Sequence, residues 1–459
     1  MNKFHSTVSR RDFMKALGFG VGATAVAGVA LPAFKDIDDM ITSTPKKVYP
    51  WWIKERDHDN ITTEVDWDIF KAYDNSSTSN ENANYVQPPG GVMDVYNKNL
   101  IQCNERRAAK RPGFTTRDLA LYQIFPGMST AGVTLSAAEP VGPRWEGTPE
   151  DNFITLRAAL HWIGSQSVGA FMLNDKTKRL YNQNATFNGD ANTSTNVRSD
   201  CQYIITYGTQ QNYDMKRMEL IHADDNDKIA GYPTDLGRAA PYRAYNDAQF
   251  SQHQFLRFIT GLGWDATLSG QGPNVPFGIF AGNGEQSRIG MLMTPHFGIM
   301  TRRSISYNTN MPIAPRKPMD FGGTKFCETC RRCAERCPTG AMGDESYTER
   351  SYDVIRGQRP GYKGWRLDWG ECKRANAPSY CGHCHGQCPF NHQNDALIHK
   401  VVRATAGTTS LFNKFFGMGD RLMHFAEWQT DETLNAWWYR DLNSCKGDTM
   451  LGGGRYQWL

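Results

Sequence analysis

Hydrophobic and polar positions follow two different periods along the middle of the chain. After the cap-like Thr148 and the first-turn Pro149, apolar side chains recur at helical spacing, and a second such stretch precedes Gly263. The helical positions are Phe153, Leu156, Leu160 and Ile163, then Phe255, Phe258, Ile259 and Leu262. Short apolar runs predict strands at 168–173, 203–207, 275–280 and 289–293. Alternating helices and strands indicate an α/β or α+β core.

The regions around this core have a different character. Residues 35–147 are irregular, with a Pro-Pro-Gly-Gly break, and predict a wrapping unit, while the Asn/Thr-rich stretch 181–197 predicts an exposed loop. The tail from 411 is rich in aromatic residues. We therefore divide the chain into five units, a leader, a wrapping unit, a core, a cysteine-rich unit and an aromatic tail, at 1–33, 34–147, 148–319, 320–400 and 401–459.

The N-terminus has the pattern of an export signal. Arg10 and Arg11 stand before a weakly hydrophobic Ala/Gly/Val run that ends in small residues near 30–33. This pattern predicts a twin-arginine (Tat) leader over 1–33, a folded protein as its cargo, and a location on the outer, periplasmic face of the cytoplasmic membrane as a peripheral protein. A retained N-terminal anchor is the alternative, because no cleavage site is clean.

Composition and charge exclude several classes of protein. The 459 residues are 39% hydrophobic, which is enough for a sizeable core. The formal charge is +4, and basic residues outnumber acidic ones by three in the leader, so its removal leaves about +1. This balance gives no electrostatic case for binding nucleic acid.

Eight of the eleven cysteines crowd into residues 327–388. The first run, Cys-x-x-Cys-x-x-Cys-x-x-x-Cys-Pro, matches bacterial ferredoxins, in which three thiolates hold one 4Fe-4S cluster and the fourth reaches the other. We therefore predict two clusters, the first on Cys327, Cys330, Cys333 and Cys388, and the second on Cys337, Cys372, Cys381 and Cys384. Paired zinc sites that use His383 or His385 are the alternative.

Several motifs in order resemble the catalytic subunits of respiratory reductive dehalogenases. They are the Tat leader, Gly-Asn-Gly-Glu-Gln-Ser-Arg at 282–288, Thr-Pro-His-Phe-Gly at 294–298 followed by Arg302, and the segment from Asp-Phe-Gly at 320–322 to Cys337. The resemblance spans essentially the whole chain and is densest over 245–388. It implies a nitroreductase-like core that buries a base-off corrinoid (cobalamin) beside an inserted ferredoxin-like unit with two 4Fe-4S clusters.

The same resemblance implies an activity and its partners. The chain would be an oxidoreductase acting on carbon–halogen bonds, the terminal reductase of organohalide respiration, with a chlorinated ethene or chlorinated aromatic as its small substrate. A membrane-anchor subunit, a respiratory electron donor and the Tat machinery would be its partners. The chain has no Asp-x-His-x-x-Gly motif that would present a lower histidine ligand to cobalt, and this agrees with the family.

The resemblance also assigns catalytic residues. Tyr245 matches the family's proton donor at the start of a helix, and Arg302 matches the arginine that supports it, with Tyr242 and Arg303 as the fallback pair. A neighbouring guanidinium stabilises a tyrosinate and so makes a tyrosine a better proton donor. Gln271 stands where an Asn is expected, in a loop that is two residues shorter than the family's.

The remaining implied contacts concern the corrinoid. Gly282 and Gly284 would allow its close approach to the backbone, since glycine has no Cβ, and Arg288 would contact it. The cluster with the irregular spacing between Cys372 and Cys381 is expected to lie nearer the corrinoid.

Two other functions stay open at this point. One is an epoxyqueuosine-reductase-like corrinoid enzyme, which would work on tRNA, and the other is an exported two-cluster electron-transfer subunit without catalysis.

Overall fold

The computed structural model describes most of the chain between residues 49 and 440. The described ranges are 49–70, 72, 92–124, 133–165, 167–189, 196–219, 221, 233–269, 273–295, 297–342, 350–352, 359–375, 381–391, 397–422 and 428–440. The predicted leader at 1–33 and the predicted site residue Gln271 lie outside them. Within these ranges no helix is both long and apolar enough to span a membrane.

The described part is mixed α+β. Its helices are α1 Val92–Ala108, α2 Thr116–Gln123, α3 Pro149–Ile163, α4 Asp175–Lys178, α5 Tyr213–Arg217, α6 Asp235–Gly261, α7 Asn274–Phe280, α8 Gly323–Cys330, α9 Arg332–Glu335, α10 Trp369–Arg374, α11 His383–Gly386, α12 Leu397–Thr408, α13 Asn413–Leu422 and α14 Asp431–Ala436, with a 3₁₀ turn at Pro389–Asn391. Its strands are β1 Lys54–Glu55, β2 Ser167–Met172, β3 Thr186–Gly189, β4 Asn196–Arg198, β5 Tyr203–Gln210, β6 Ala266–Leu268, β7 Glu285–Gln286, β8 Leu292–Met293, β9 Thr301–Thr309 and β10 Met319–Asp320.

An antiparallel sheet in the order β2-β5-β9-β6 forms the centre of the core. Side chains alternate across it, as the period of two requires. On β5, Ile205 and Tyr207 pack with residues of α3 and α6. Ile204 points to the opposite face of the sheet and packs with Phe277 of α7. The sheet is therefore covered by helices on both faces.

Helix α3 confirms the prediction made from its cap and its apolar period. The Thr148 side chain accepts a hydrogen bond from the Asp151 N–H, and Gly164 ends the helix at a φ of 105°. Phe153, Leu156 and Leu160 are fully buried against the sheet. Each such burial contributes about 1.5–3 kcal/mol.

Helix α6 is longer than its apolar spacing predicts. It is capped by Thr234 and runs for 27 residues, so it includes the predicted helical stretch near Phe255. Tyr245 consequently lies well inside this helix, and the expectation that it stands at a helix start is wrong. In the N-terminal half of α6 the buried apolar positions at helical spacing are Leu236, Ala240, Ala244 and Ala248, mostly small residues, so the apolar period there is weak.

The strand predictions fared unevenly. Those at 168–173 and 203–207 are confirmed by β2 and β5. The one at 275–280 is wrong, because this run forms helix α7, and a short apolar run cannot be assigned to strand or helix by period alone. At 289–293 only Leu292–Met293 is a strand, paired with Glu285–Gln286.

The predicted exposed loop at 181–197 is wrong in part. Tyr181 is buried, and its hydroxyl donates to Asn308 Oδ1 at 3.1 Å. Within this stretch, β3 pairs in parallel with β4, whose last residue is Arg198. The stretch is thus partly a small sheet that closes one side of the core.

The flanking units are tied to the rest by specific contacts. In the N-terminal unit, β1 pairs with β10, in the register Lys54 to Asp320. In the tail, Leu434 is buried beside Cys103 and Phe114. The five domain boundaries themselves stay predictions.

Candidate functional site

The first group of cysteines surrounds a cavity between α8, α9 and the 3₁₀ turn. Its lining includes Cys327, Cys330, Cys333 and Cys388. Arg331, at a φ of 55°, makes the left-handed step between α8 and α9 that brings Cys333 back beside the other two thiols. The first three cysteines come from one short segment, and Cys388 reaches them from a segment far along the chain.

Electrostatics relate the members of this group to one another. Burial raises the pKa of the Cys327 thiol to about 12 and that of Cys330 to about 11. Burial also raises the pKa of Cys388, and the charges of Cys327 and Cys330 raise it further. Iron binds the thiolate, so four thiols that resist ionisation in one pocket fit a metal cluster that supplies the balancing positive charge.

A second group forms from Cys337, Cys372, Cys381 and Cys384. Burial raises the pKa of Cys381, followed by the charges of Cys384, Cys337 and Cys372. Cys337 follows α9, which packs against α11, where Cys384 lies. The structure thus brings together each of the two sets proposed from the spacing, and their roles as ligands stay predictions.

A buried ion pair borders the second group. Lys216 Nζ lies 2.5 Å from Glu219 Oε2, and both side chains are at most 1% exposed. Gly382, between Cys381 and Cys384, has a φ of +70°, and a Cβ there would collide with both charged groups. The pair therefore contacts the backbone of the segment that carries these two cysteines.

A buried carboxylate anchors the helix of the first group. Helix α8 has no side-chain cap of its own at Gly322. Glu285 Oε1 accepts the Phe321 N–H at 2.5 Å, and Oε2 accepts the Thr324 N–H at 2.8 Å. A side chain distant in sequence thus satisfies N–H groups at the start of the helix that carries Cys327.

The predicted catalytic pair is in contact. Arg302 Cζ lies 4.8 Å from the centroid of the Tyr245 ring, a cation–π geometry. Arg302 is at a bulge, because β5 pairs Thr209 with Arg303 and then Gln210 with Thr301. Bulges re-aim side chains next to active sites, so this irregularity explains how a residue of β9 reaches a tyrosine of α6.

The fallback residues have other neighbours. The Tyr242 ring contacts the Tyr122 ring edge-on, with centroids 4.7 Å apart. Arg303 acts electrostatically on the buried Tyr207 and Tyr307. The geometry therefore favours Tyr245 with Arg302 over the fallback pair.

The residues predicted to contact a corrinoid have internal contacts as well. A Cβ at Gly282 would meet the Lys317 carbonyl, and one at Gly284 would meet the Met293 carbonyl, so protein packing already requires both glycines. Arg288 lines the cavity of the first cysteine group, and its Nη2 donates to the Cys327 carbonyl at 2.7 Å. Arg288 is thus a neighbour of the first cluster site.

Sequence reasoning missed Lys216, Glu219 and Glu285. The first two form an ordinary i,i+3 pair, which is typical of an exposed helix. Its burial arises from contacts with residues far apart in sequence, such as Gly382, where a Cβ would collide with both charged groups. Glu285 lies in the 282–288 motif, where its charge among small residues was a usable signal.

Comparisons with known proteins agree with this site. Residues 326–391 match a family model described as a 4Fe-4S double cluster binding domain, which favours iron–sulfur clusters over the zinc alternative. The fold and the two cysteine groups thus define a two-cluster iron–sulfur protein. The chain is 31% identical to the chloroethene reductive dehalogenase of Dehalococcoides mccartyi strain VS, over 94% of this chain and 98% of that one.

The chain belongs to the reductive dehalogenase family, and it is therefore an oxidoreductase that acts on carbon–halogen bonds. A trichloroethene reductive dehalogenase from another strain of the same species is 28% identical over 90% of this chain and 93% of that one. This membership favours a dehalogenase over both the epoxyqueuosine-reductase-like enzyme and the electron-transfer subunit without catalysis.

A solved structure supports the fold. It is a reductive dehalogenase described as suggesting a mechanism for B12-dependent dehalogenation, with a TM-score of 0.60 and 18% identity. The match covers 87% of this chain and 54% of the solved one, so this chain spans about half of that protein's length. The predicted α+β class with a double-cluster unit is confirmed, and the nitroreductase-like description of the core stays a prediction.

Proposed function

We propose that the protein removes a halogen from a small chlorinated ethene or chlorinated aromatic, with a corrinoid and two 4Fe-4S clusters as cofactors and Tyr245 as proton donor. The reaction takes two electrons and one proton, breaks a carbon–halogen bond, forms a carbon–hydrogen bond and releases halide. The observation that carries the proposal is the contact of the Arg302 guanidinium with the Tyr245 ring. The relatives named for chloroethene and trichloroethene support chlorinated ethenes as the first substrates to test.

The proposed cluster ligands are the two sets that the fold brings together. Cys327, Cys330, Cys333 and Cys388 would hold the first cluster, and Cys337, Cys372, Cys381 and Cys384 the second. The cavity that all four of its cysteines line supports the first set. The pKa of Cys381 is raised by burial and by the charges of Cys384, Cys337 and Cys372, which supports the second set.

Two buried serine hydroxyls of the core support the corrinoid proposal. The hydroxyls of Ser304 and Ser306 on β9 are buried and, within the described residues, have no hydrogen-bond partner. A buried polar group without a partner costs about 1–3 kcal/mol, and a ligand rimmed with amide groups would remove that cost. These serines fit a corrinoid and would help to hold it with the loop at 282–288. When bound, it would supply a cobalt ion whose reduced state cleaves carbon–halogen bonds.

Tyr245 and Arg302 would act on the substrate. The Tyr245 hydroxyl would donate its proton to the carbon that loses the halogen, leaving a tyrosinate. Arg302 would stabilise that anion and attract the departing halide, which places positive charge where negative charge develops. Gln271 is proposed to position the tyrosine through its amide.

The cellular setting is part of the proposal. We propose export through the Tat leader at 1–33 and action at the outer face of the cytoplasmic membrane, with electrons supplied through a membrane-anchor subunit. Fusing residues 1–33 to a folded reporter tests the leader, since export should depend on Arg10 and Arg11 together.

The decisive experiment compares Tyr245→Phe with Tyr242→Phe in protein reconstituted with corrinoid and clusters. Halide release from chlorinated ethenes, benzenes and phenols is measured without oxygen. Tyr245→Phe should keep its iron and cobalt content and lose most of its turnover, whereas Tyr242→Phe should keep both. Full activity in Tyr245→Phe would overturn the assignment of the proton donor.

A further inference from the structure

The Lys216–Glu219 pair is an expensive arrangement that needs a reason. Apart from the ion pair itself, neither charged group has a hydrogen-bond partner in the described part of the chain. Burying two charges costs several kcal/mol for each ion, which their mutual attraction offsets only with excellent geometry and further hydrogen bonds. An apolar pair of similar volume would serve a purely structural purpose as well or better.

The position of the pair supplies that reason. Gly237 of α6 packs against Glu219, and Gly382 packs against both charged groups. Because Gly382 has no side chain, the pair lies directly against the backbone between Cys381 and Cys384. Burial and the charge of Cys337 raise the pKa of the Cys384 thiol, and the charge of Lys216 lowers it. The ammonium thus acts electrostatically on a thiol of the second group.

We propose that Lys216 and Glu219 set the reduction potential of the second 4Fe-4S cluster, the ammonium raising it and the carboxylate moderating that effect. An electron added to a cluster adds negative charge, and a nearby buried cation stabilises that charge with little screening by water. Both residues are positioning residues, because they act through the cluster and not on the substrate.

The first cluster offers a matched comparison within the same molecule. Arg288 is buried beside Cys327 and acts electrostatically on Cys333, Cys327 and Cys330. Among the described residues, the first site has two buried cations along its cavity: Arg332 is paired with Asp420, whereas Arg288 donates to the Cys327 carbonyl. Removal of Lys216 or of Arg288 should lower the potential of its own cluster alone.

The test is a potentiometric titration of the full chain with both clusters, followed by electron paramagnetic resonance. Lys216→Met should make reduction of the second cluster at least about tenfold less favourable, a shift of about 59 mV for one electron, and leave the other step in place. Arg288→Met should shift the other step. Glu219→Gln should raise the reduction potential of the second cluster, which Lys216→Met lowers. Lys216→Arg keeps the positive charge and should retain most of the parent's potential.

The outcomes separate this inference from the proposed function on which it rests. The titration needs no dehalogenation, and loss of iron would indicate a failure to hold the cluster. If Lys216→Met loses iron, the double variant Lys216→Met/Glu219→Leu, which leaves no unpaired buried charge, carries the measurement. In the double variant, the reduction potential of the second cluster should fall by less than in Lys216→Met. Unchanged steps in an iron-replete variant, or equal shifts of both steps, would overturn the inference.

Discussion

The two cysteine groups lie in different surroundings. The first borders a cavity with apolar neighbours such as Phe326, and α13 covers it on the outside, where Arg421 Nη2 donates to the Cys330 carbonyl at 2.9 Å. On α13, Phe415 and Met418 are 44% and 49% exposed. The ion pair beside the first group, Arg332–Asp420, joins α9 to α13, whereas the second group contacts the more deeply buried Lys216–Glu219 pair.

This difference predicts the direction in which electrons pass through the two clusters. Burial lowers the pKa of His385, beside Cys384, and the charges of Lys216 and Arg302 lower it further, so the second group and Arg302 share His385 as a neighbour. This proximity supports the expectation that the second cluster lies nearer the corrinoid. We expect electrons to enter near the first group and to leave from the second. The variants below test this contrast, from the largest expected effect to the smallest.

Gly382→Ala attacks the second group alone. Its methyl group would meet Glu219 and Lys216 at a left-handed backbone position, so we expect loss of the second cluster and retention of the first. Gly340→Ala is the matched control, because Gly340 is also left-handed but has open space around it, and it should cost only about 1–2 kcal/mol. Iron analysis and electron paramagnetic resonance measure the result, and two intact clusters in Gly382→Ala would remove the contrast.

Arg302→Met tests the link between the second group and the chemistry. Loss of a charge placed on the developing anion should lower turnover about a hundredfold. Arg303→Met removes the same charge one residue away, on the regularly paired part of β9, and should leave turnover nearly unchanged. Steady-state halide release measures both. Equal losses in the two variants would argue against a special role for the bulge.

Glu285→Gln tests the anchor of the first group. Burial raises the pKa of Glu285 from 4.5 to about 7, so the folded chain binds this proton more tightly than the unfolded chain. Stability from this group is therefore present at low pH and is lost as the pH rises from about 4.5 to about 7, by roughly 3 kcal/mol.

The substitution should remove that slope from the free energy of unfolding, measured by denaturant titration at several pH values. Glu328→Gln, at an exposed position of the same helix, is the control and should retain the slope of the parent. An unchanged slope in Glu285→Gln would be evidence that this carboxyl does not govern the pH response.

Trp438→Phe should have the smallest effect and should leave both cluster sites untouched. The Trp438 Nε1 donates to Asp118 Oδ1 at 2.7 Å, which ties the tail to α2. Loss of this hydrogen bond to a charged group should cost about 1–3 kcal/mol of unfolding free energy. Both reduction steps should stay in place, and a shift in either would mean that the tail influences the clusters.

The cysteine groups were predictable because their information is local. Ligand type and spacing follow from the chemistry of iron–sulfur clusters, and a crossed pattern leaves few pairings. Helix α3 was predictable for a similar reason, since Thr148 and the apolar period act within a few residues of one another.

The catalytic geometry was less accessible, because it depends on contacts between distant segments. The bulge at Arg302 exists only in the register of β9 against β5, and β9 itself is too polar to be recognised as a buried central strand. The burial of Lys216 depends on Gly382, a residue far along the chain. The family resemblance supplied Tyr245 and Arg302, but nothing in the local sequence indicates that they touch.

The crossing of Cys337 and Cys388 has a consequence for how the protein folds. In the proposed ligand sets, each cluster joins both cysteine runs, so the chain between them is closed into a loop at two points, as a pair of disulfides would close it. Such closure restricts the unfolded chain, and each cluster that is held closes one loop of its own. The cysteine-rich unit should consequently be harder to unfold with both clusters than with the first alone.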